Sequence, residues 1–319
     1  MSHPRPEPEP ILLTSRIPPD ADGTRLLDYL CARFRYHDRS AWQRELDAAR
    51  LTLDDRTASA DDELRRGQRL RYAKLHREPP VADGYRVLHE DDVLLVVDKP
   101  AHLPMHADGP FLRNTLIHML RRRFGDDLQL VHRLDRETSG AVVVARDKRA
   151  QAAIQRQFLD GGLRKVYYAV VHGRLERTLC CEQAIGHHPR SAVRLRRSAA
   201  SDAIRPKAAS TRIEPLRVAA HHTLVRCVPR TGRTHQIRVH LEHAGHPVVG
   251  DKLYGRDDDH YLAFVARMKA GDSVFAAPAG EPDRQLLHAG ELSFRHPGTG
   301  AEFVASAPMP AEFEDWLSP

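Results

Sequence analysis

The sequence predicts an α+β fold: a mixed, largely antiparallel sheet with flanking helices, preceded by a small α/β unit. Three observations lead there. The apolar runs at residues 93–97 (Val-Leu-Leu-Val-Val) and 141–145 (Ala-Val-Val-Val-Ala) have the length and continuity of buried strands. Between such runs lie helical patterns of uneven length and segments short enough for hairpins. The regular strand–helix alternation of a doubly wound parallel sheet is missing. A polar stretch with a Pro pair, residues 74–82, separates a first segment from the rest. With 319 residues and 41% hydrophobic content, the chain is long enough for two units with real cores. The expected divisions are a disordered tail at 1–10, a small unit at 11–73, a linker at 74–82 and a main domain at 83–319.

Each element has its own local reason. The tail is rich in Pro and Glu and has no apolar period. Leu27, Leu30 and Phe34 fall at i, i+3 and i+7, one face of a helix. Ser40 reads as the N-cap of a second helix bearing Trp42, Leu46 and Ala49. Leu51 and Leu53 open a strand, and residues 67–72 turn into another. This order resembles an S4 RNA-binding domain, degenerate in two respects. Asp54-Asp55 stands where an Asn-Gly type of turn is usual, and Asp61, Asp62 and Glu63 thin the basic face.

In the main domain the strand at 93–97 stops at Asp98-Lys99-Pro100. Leu116, Ile117, Leu120 and Phe124 mark a helix that Gly125 closes. Strands at 128–131 and 141–145 flank a charged loop. Asp147 caps a helix carrying Ile154 and Phe158, which Gly161-Gly162 ends. Residues 165–171 alternate as a strand. Residues 186–210, basic and rich in small residues, read as a hairpin or a loop with extended pieces. Thr234 is placed to cap a helix with Ile237, Leu241 and Ala244 facing inward.

Composition narrows the class of function. Lys+Arg number 49 against 43 Asp+Glu, a net charge of +6, mostly from arginine. That balance fits a polyanionic partner, and arginine suits phosphate and base recognition through its planar fork. The four cysteines, Cys31, Cys180, Cys181 and Cys227, show no CxxC pair and no disulfide spacing, as expected of reduced thiols. No window approaches a membrane span and the N-terminus has no apolar signal core. The expectation is a cytoplasmic monomer without membrane contact.

The loop His132-Arg133-Leu134-Asp135-Arg136-Glu137-Thr138-Ser139-Gly140 sets one carboxylate, Asp135, between two arginines just before a buried strand. Flanking guanidiniums favour the ionised form. An ionised carboxylate on a rigid support can act as a nucleophile. Three further segments belong with it. They are the strand Lys165-Val166-Tyr167-Tyr168-Ala169, the stretch Thr231-Gly232-Arg233-Thr234-His235-Gln236-Ile237-Arg238 leading to Gly250-Asp251-Lys252-Leu253-Tyr254-Gly255, and Gln285-Leu286-Leu287-His288-Ala289 with Phe294-Arg295-His296-Pro297. Together, and in this order, these motifs resemble the RluA-like family of RNA pseudouridine synthases over roughly residues 85–310.

The resemblance implies the fold of those synthases and the isomerisation of uridine to pseudouridine in RNA without a cofactor. It implies Asp135 as the carboxylate that engages sugar or base, Tyr167 as the ring that holds the detached uracil, and Arg238 as the ion-pair partner of Asp135. It implies Arg133 as the side chain that fills the gap left by a flipped base. Arg136, His132, Arg233 and His235 are the other expected RNA contacts. Large-subunit ribosomal RNA is the favoured partner, with transfer RNA the other class the family offers.

Other readings meet specific obstacles. His235, His240, His243 and His246 lack an HExxH pattern or a cysteine partner, so no metal is expected. No phosphate-cradling Gly loop and no GxSxG elbow is present. A glycosidase would need a second carboxylate converging on Asp135, for which Glu137 is the nearest in sequence. The contrasting class is a catalytically silent RNA-binding protein. It is distinguished by loss of Asp135, Tyr167 or Arg238, and all three are present.

Overall fold

Alternate residues of the buried strand runs feed two separate cores, one on each side of the same sheet. Leu95, Val97, Val142 and Val144 pack with Leu116, Ile117 and Leu120 on one side. Leu94, Val96, Ala141, Val143 and Ala145 pack with Ile154, Leu292 and Phe294 on the other. Burial on both faces is why these runs are continuously apolar rather than alternating. This computed structural model describes residues 10–75, 78–270 and 280–317. The chain divides into two compact units between Arg77 and Glu78.

The first unit contains β1 (Pro10–Arg16), α1 (Leu26–Arg33), α2 (Arg39–Asp47), β2 (Leu51–Leu53), β3 (Arg56–Thr57) and β4 (Arg69–Leu75), with antiparallel strand order β1-β4-β2-β3. Its core is Leu26, Leu30, Trp42, Leu46, Leu51, Leu53, Leu64 and Tyr72. The cap of α2 is Asp38, not Ser40. The Asp38 carboxylate accepts the Ala41 N–H at 2.7 Å and the Ser40 hydroxyl at 2.8 Å, so the aspartate takes the backbone donor and Ser40 lies in the first turn. The Asp54-Asp55 turn has φ of 47° and 72°, the left-handed pair a tight hairpin requires and aspartate tolerates. Asp54 also accepts the Arg69 N–H at 2.8 Å and Asp55 pairs with Arg71 at 2.6 Å. The acidic turn therefore anchors β4.

Residues 1–9 of the expected tail and 76–77 of the expected linker lie outside the described residues. Pro10 already opens β1, and β4 runs through Leu75, so both expected boundaries move. Glu78 is fixed as well: its carboxylate receives the N–H groups of Leu112, Arg113 and Asn114 at 2.7 to 2.9 Å.

The second unit runs β5 (Arg86–Glu90), β6 (Leu94–Lys99), α3 (Leu116–Phe124), β7 (Gln129–Leu130), β8 (Ser139–Ala145), α4 (Lys148–Leu159), β9 (Arg164–His172), β10 (Leu179–Cys181), β11 (Ile185–His187), β12 (Arg197–Ser198), β13 (Ile204–Lys207), β14 (Thr211–Val218), β15 (His222–Pro229), α5 (Gln236–His243), α6 (Asp258–Ala270), β16 (Leu287–Arg295) and β17 (Glu302–Ser306). Ten strands form one sheet with main path β10-β14-β15-β9-β16-β8-β6-β5. Its pairs are antiparallel except β8 with β16. The fold class is thus the α+β arrangement expected. The 186–210 region supplies a separate three-stranded sheet, β12-β11-β13. Asp147 and Gly125 cap as expected. Thr234 does not: it is exposed, and His235 takes the N-cap position with φ of 58°.

Gly140 shows how closely the loop strand meets β16. Its φ is +114°, and a Cβ there would lie 2.2 Å from the Ala289 carbonyl oxygen. Gly140→Ala should therefore lower stability by at least about 2 kcal/mol, from strained φ and backbone overlap together. Urea unfolding of the purified variant measures this, and a loss within about 0.5 kcal/mol would contradict the close approach.

Candidate active site

The loop before β8 is held from below by a buried lysine. Lys99, at the end of β6, is fully buried, and its Nζ donates to the carbonyls of Pro100 (2.7 Å), Leu103 (2.9 Å) and Arg136 (3.1 Å). Burial, with the Arg284 charge adding to it, pushes Lys99 well below the ordinary lysine range. Three N–H donors meeting three carbonyls is nonetheless the count of an ammonium and not of an amine. Glu137 fastens the other side: it pairs with Arg136 at 2.9 Å and with Lys252 at 2.9 Å, and accepts the Gln285 N–H at 3.2 Å. Thr138 N–H bonds the Asp135 carbonyl at 3.1 Å and closes the turn.

On this support Asp135 meets Arg238 from α5. Arg238 Nη1 donates to Asp135 Oδ2 at 2.7 Å, while its Nε and Nη2 donate to the two oxygens of Asp251 at 2.6 and 2.7 Å. Asp251 is buried and also accepts the N–H groups of Leu253 (2.8 Å) and Tyr254 (3.0 Å). The Tyr254 ring lies 4.8 Å from the guanidinium. One cation between two carboxylates leaves a net negative charge, on the more open of the two. The Asp135 side chain keeps 28% of its surface, Asp251 none.

Burial works to raise the Asp135 carboxyl. The His235 and Arg238 charges, with hydrogen bonds from Arg238 and Gln285, overcome it and hold the group well below the usual carboxylate range. Burial pushes His235 down to about 4, so near neutral pH Arg238 is the standing charge. Asp251 is held low in the same way, Arg238 outweighing burial. Tyr167 is half-buried on β9, and its phenol is pushed up by burial and then by the Asp135 charge. It stays a neutral phenol close to the carboxylate. Tyr168 packs on the opposite face beside Phe313 and Met309.

The other expected site residues separate. Arg133 is exposed on the loop. Arg136 turns to Glu137 and lies 5.9 Å from the Phe111 ring and 5.5 Å from the Phe264 ring. The cation that serves Asp135 is therefore Arg238, more than a hundred positions away, and not its two neighbours in sequence. His132 Nε2 accepts the Val143 N–H at 3.0 Å, and burial lowers it to about 3, so that nitrogen serves the scaffold. Arg233 Nε donates to the Ala208 carbonyl at 2.9 Å. His235 comes to the site: its Nε2 is 3.8 Å from Asp135 Oδ1.

The histidines 235, 240 and 246 do not converge. His235 bonds Tyr254, His240 bonds Thr211 and Gln183, and His246 bonds the His172 carbonyl. Among the described residues no group of three or more His, Cys, Asp or Glu is placed to hold a metal. Glu137 is held ionised by Lys252 and Arg136 against the pull of burial, so it supplies no acid to a glycosidase. Asp251, Lys99, Lys252 and Gln285 carried no expected role. The available signal was the motif around Asp251 itself, since a buried arginine serving a reactive carboxylate needs a second, permanent counter-ion.

Comparison with known proteins gives a consistent set. The family model described as RNA pseudouridylate synthase matches residues 93–243. The ribosomal large subunit pseudouridine synthase D of Xanthomonas campestris is 34% identical, over 100% of this chain and 96% of its own length. Synthase C of Escherichia coli is 32% identical over 91% of each chain. Among solved structures, human RNA Pseudouridylate Synthase Domain Containing 1 is similar with a TM-score of 0.56 and 27% identity, covering 73% of this chain and 86% of that one.

The clamp has a pH signature. Asp251 has a depressed folded value, so its stabilisation is complete above the unfolded value near 4 and is lost as the pH falls through the lower folded value. Asp251→Asn should cost about 3 kcal/mol at pH 7. The gap to the unaltered protein should shrink at pH 3, where the carboxyl of the unfolded chain has taken up its proton while the clamp still holds the native one ionised. Urea unfolding at the two pH values reads this, and an equal gap at both would show that the charge is not what Asp251 contributes.

Proposed function

The chain belongs to the RluA-like family of RNA pseudouridine synthases, and from that membership we propose that it isomerises uridines in large-subunit ribosomal RNA. The observation that carries this reading is the Asp135–Arg238–Asp251 clamp beside the neutral Tyr167 phenol. The isomerisation breaks the bond from C1′ to N1 and makes one from C1′ to C5. The C5 hydrogen leaves as a proton and N1 gains one, so the reaction needs no redox partner. The ionised Asp135 engages the sugar or the base, or takes a proton. The Tyr167 ring provides a face for the detached uracil and a phenol oxygen near C5. Arg238 keeps Asp135 ionised against the pull of burial. Ribosomal RNA is favoured as the substrate because the relatives from Xanthomonas campestris and Escherichia coli carry that substrate in their names.

The first unit is read as an S4-like RNA-binding domain that adds affinity or site choice. Its acidic residues mute its basic face: Asp62 takes Arg56 through two hydrogen bonds of 2.9 Å, and Asp61 pairs with Arg25. Action on ribosomal RNA carries a cytoplasmic location with it. No helix among the described residues is long and apolar enough to cross a membrane. The enzyme is read as acting as a monomer, without metal or cofactor.

Asp135→Asn should abolish isomerisation and leave RNA affinity within about threefold, because the amide keeps the shape but neither attacks nor accepts a proton. Tritium release from C5-labelled uridine RNA reports the reaction. Turnover above about a hundredth of the unaltered rate would sink the assignment.

Arg133 is exposed on the Asp135 loop, and its role is read as entering the gap left by an extruded base. Flipping costs a few kcal/mol of unstacking, part of which a stacked guanidinium restores. Arg133→Ala should slow reaction on a structured stem-loop far more than on a flexible strand with the same bases. Equal losses on both, with the salt slope of binding reduced by about one, would make Arg133 a phosphate contact instead.

A further inference from the structure

Arg238 occupies one oxygen of Asp135 and leaves the other, Oδ1, to different company. His235 Nε2 lies 3.8 Å from Oδ1, and the Gln285 side chain also hydrogen-bonds the carboxylate. His235 sits at the head of α5 with φ of 58° and ψ of 19°, a left-handed conformation that a non-glycine residue adopts at some strain. The preceding loop is tied so that this conformation persists. Buried Gln236 accepts the Arg233 N–H at 3.0 Å and the Thr231 hydroxyl at 2.7 Å, and donates to Ser210 and Thr211 at 3.0 and 2.9 Å. The strained turn swings the imidazole towards Asp135.

The other ring nitrogen is equally constrained. His235 Nδ1 lies 2.8 Å from the Tyr254 hydroxyl oxygen, which in turn accepts the Arg197 N–H at 3.1 Å. A phenol that accepts from a backbone donor is free to direct its own proton to Nδ1. That arrangement places the imidazole hydrogen on Nε2, aimed at Asp135 Oδ1. The charged and titratable groups around the ring are Asp135, Arg238, Asp251, Arg197 and Tyr254.

Resting on the synthase reading, we propose that His235 is a positioning residue: its neutral Nε2–H fixes Asp135 Oδ1 as the reacting oxygen while Arg238 holds Oδ2. The present 3.8 Å lies just outside hydrogen-bond range, and catalytic contacts commonly shorten when substrate fills a site. If Oδ1 forms a bond to the sugar or base, negative charge leaves that oxygen and returns when the bond breaks, and the N–H donor steadies it on return. If Oδ1 takes a proton, the same donor sets its direction. The imidazole keeps its own proton throughout, so the isomerisation stays balanced. This differs from the direct RNA contact that the sequence suggests for His235.

Two substitutions separate the roles. In His235→Gln the amide Nε2 stands where the ring Nε2 stood. In His235→Asn the amide reaches only the Nδ1 position, keeping Tyr254 and losing Asp135. Single-turnover rates at saturating RNA should fall at most about fivefold for Gln and at least about thirtyfold for Asn, the order seen when one orienting donor is lost. RNA affinity should stay within about threefold for both. Equal rates for Gln and Asn, or a loss confined to affinity, would overturn the proposal. A second reading is independent of activity: 15N histidine spectra, assigned by difference with His235→Gln, should show the Nε2-protonated neutral form at pH 7, and the opposite tautomer would also overturn it. If the unaltered enzyme forms no pseudouridine in any RNA while the tautomer is as described, the synthase reading fails and the geometry of His235 stands.

Discussion

The site depends on one guanidinium shared by two carboxylates. Burying a charged group is costly unless it is paired and hydrogen-bonded, and Arg238, Asp135 and Asp251 meet that cost together. Asp251 holds Arg238 through two parallel bonds and carries two backbone N–H groups besides, so the arginine is oriented before substrate arrives. Only its third donor reaches Asp135. A lysine has the charge but not the planar fork, and cannot serve both acids in fixed directions. The helix carrying Arg238 is in turn seated by Ile237 and Leu241 in the core beneath β9 and β15. The Asp135 carboxylate thus inherits its geometry from the packing of a helix far away in sequence.

The loop bearing Asp135 has little regular structure of its own and is made rigid from outside. Lys99 holds its Arg136 carbonyl from below, Glu137 joins it to Lys252, and the Gly140 contact with Ala289 fixes where the loop enters the sheet. The lysine and glutamate ties are polar and largely shielded from water, where a lower dielectric strengthens a satisfied bond and penalises a broken one. Arg284 extends the system, donating to the Glu137 carbonyl and the Ser139 hydroxyl while pairing with Glu312. Such a network tolerates few intermediate states and suits a group that must not wander.

Much of the scaffold was legible because local chemistry decides it. The apolar runs at β6 and β8, the Asp147 cap and the Gly125 stop each follow from a few adjacent residues. The failures share a different cause. Ser40 and Thr234 are good capping types, but Asp38 reaches the backbone donor first and the strained His235 displaces the Thr234 cap. Arg133 and Arg136 flank Asp135 in the chain, yet side chains of a tight loop diverge, and neither is its partner. His132 resembled an RNA contact until its burial against β8 gave it the Val143 amide. Asp135, Tyr167 and Arg238 were found through motif resemblance. The second carboxylate that orients Arg238, Asp251, is a tertiary fact that pattern alone does not state.

Among the described residues, the parallel pair of the main sheet joins segments made far apart in time. β8 lies beside β16, and the bond between Ser139 and His288 spans 149 positions of chain. Gln285 and Arg284, which brace the Asp135 loop, come from the same late segment. Contacts between such distant positions form slowly, because the closure entropy of a long loop precedes any reward. On the ribosome, the Asp135 loop is therefore synthesised well before the strand that completes its support. The full set of ties around Asp135 exists only once translation has passed β16.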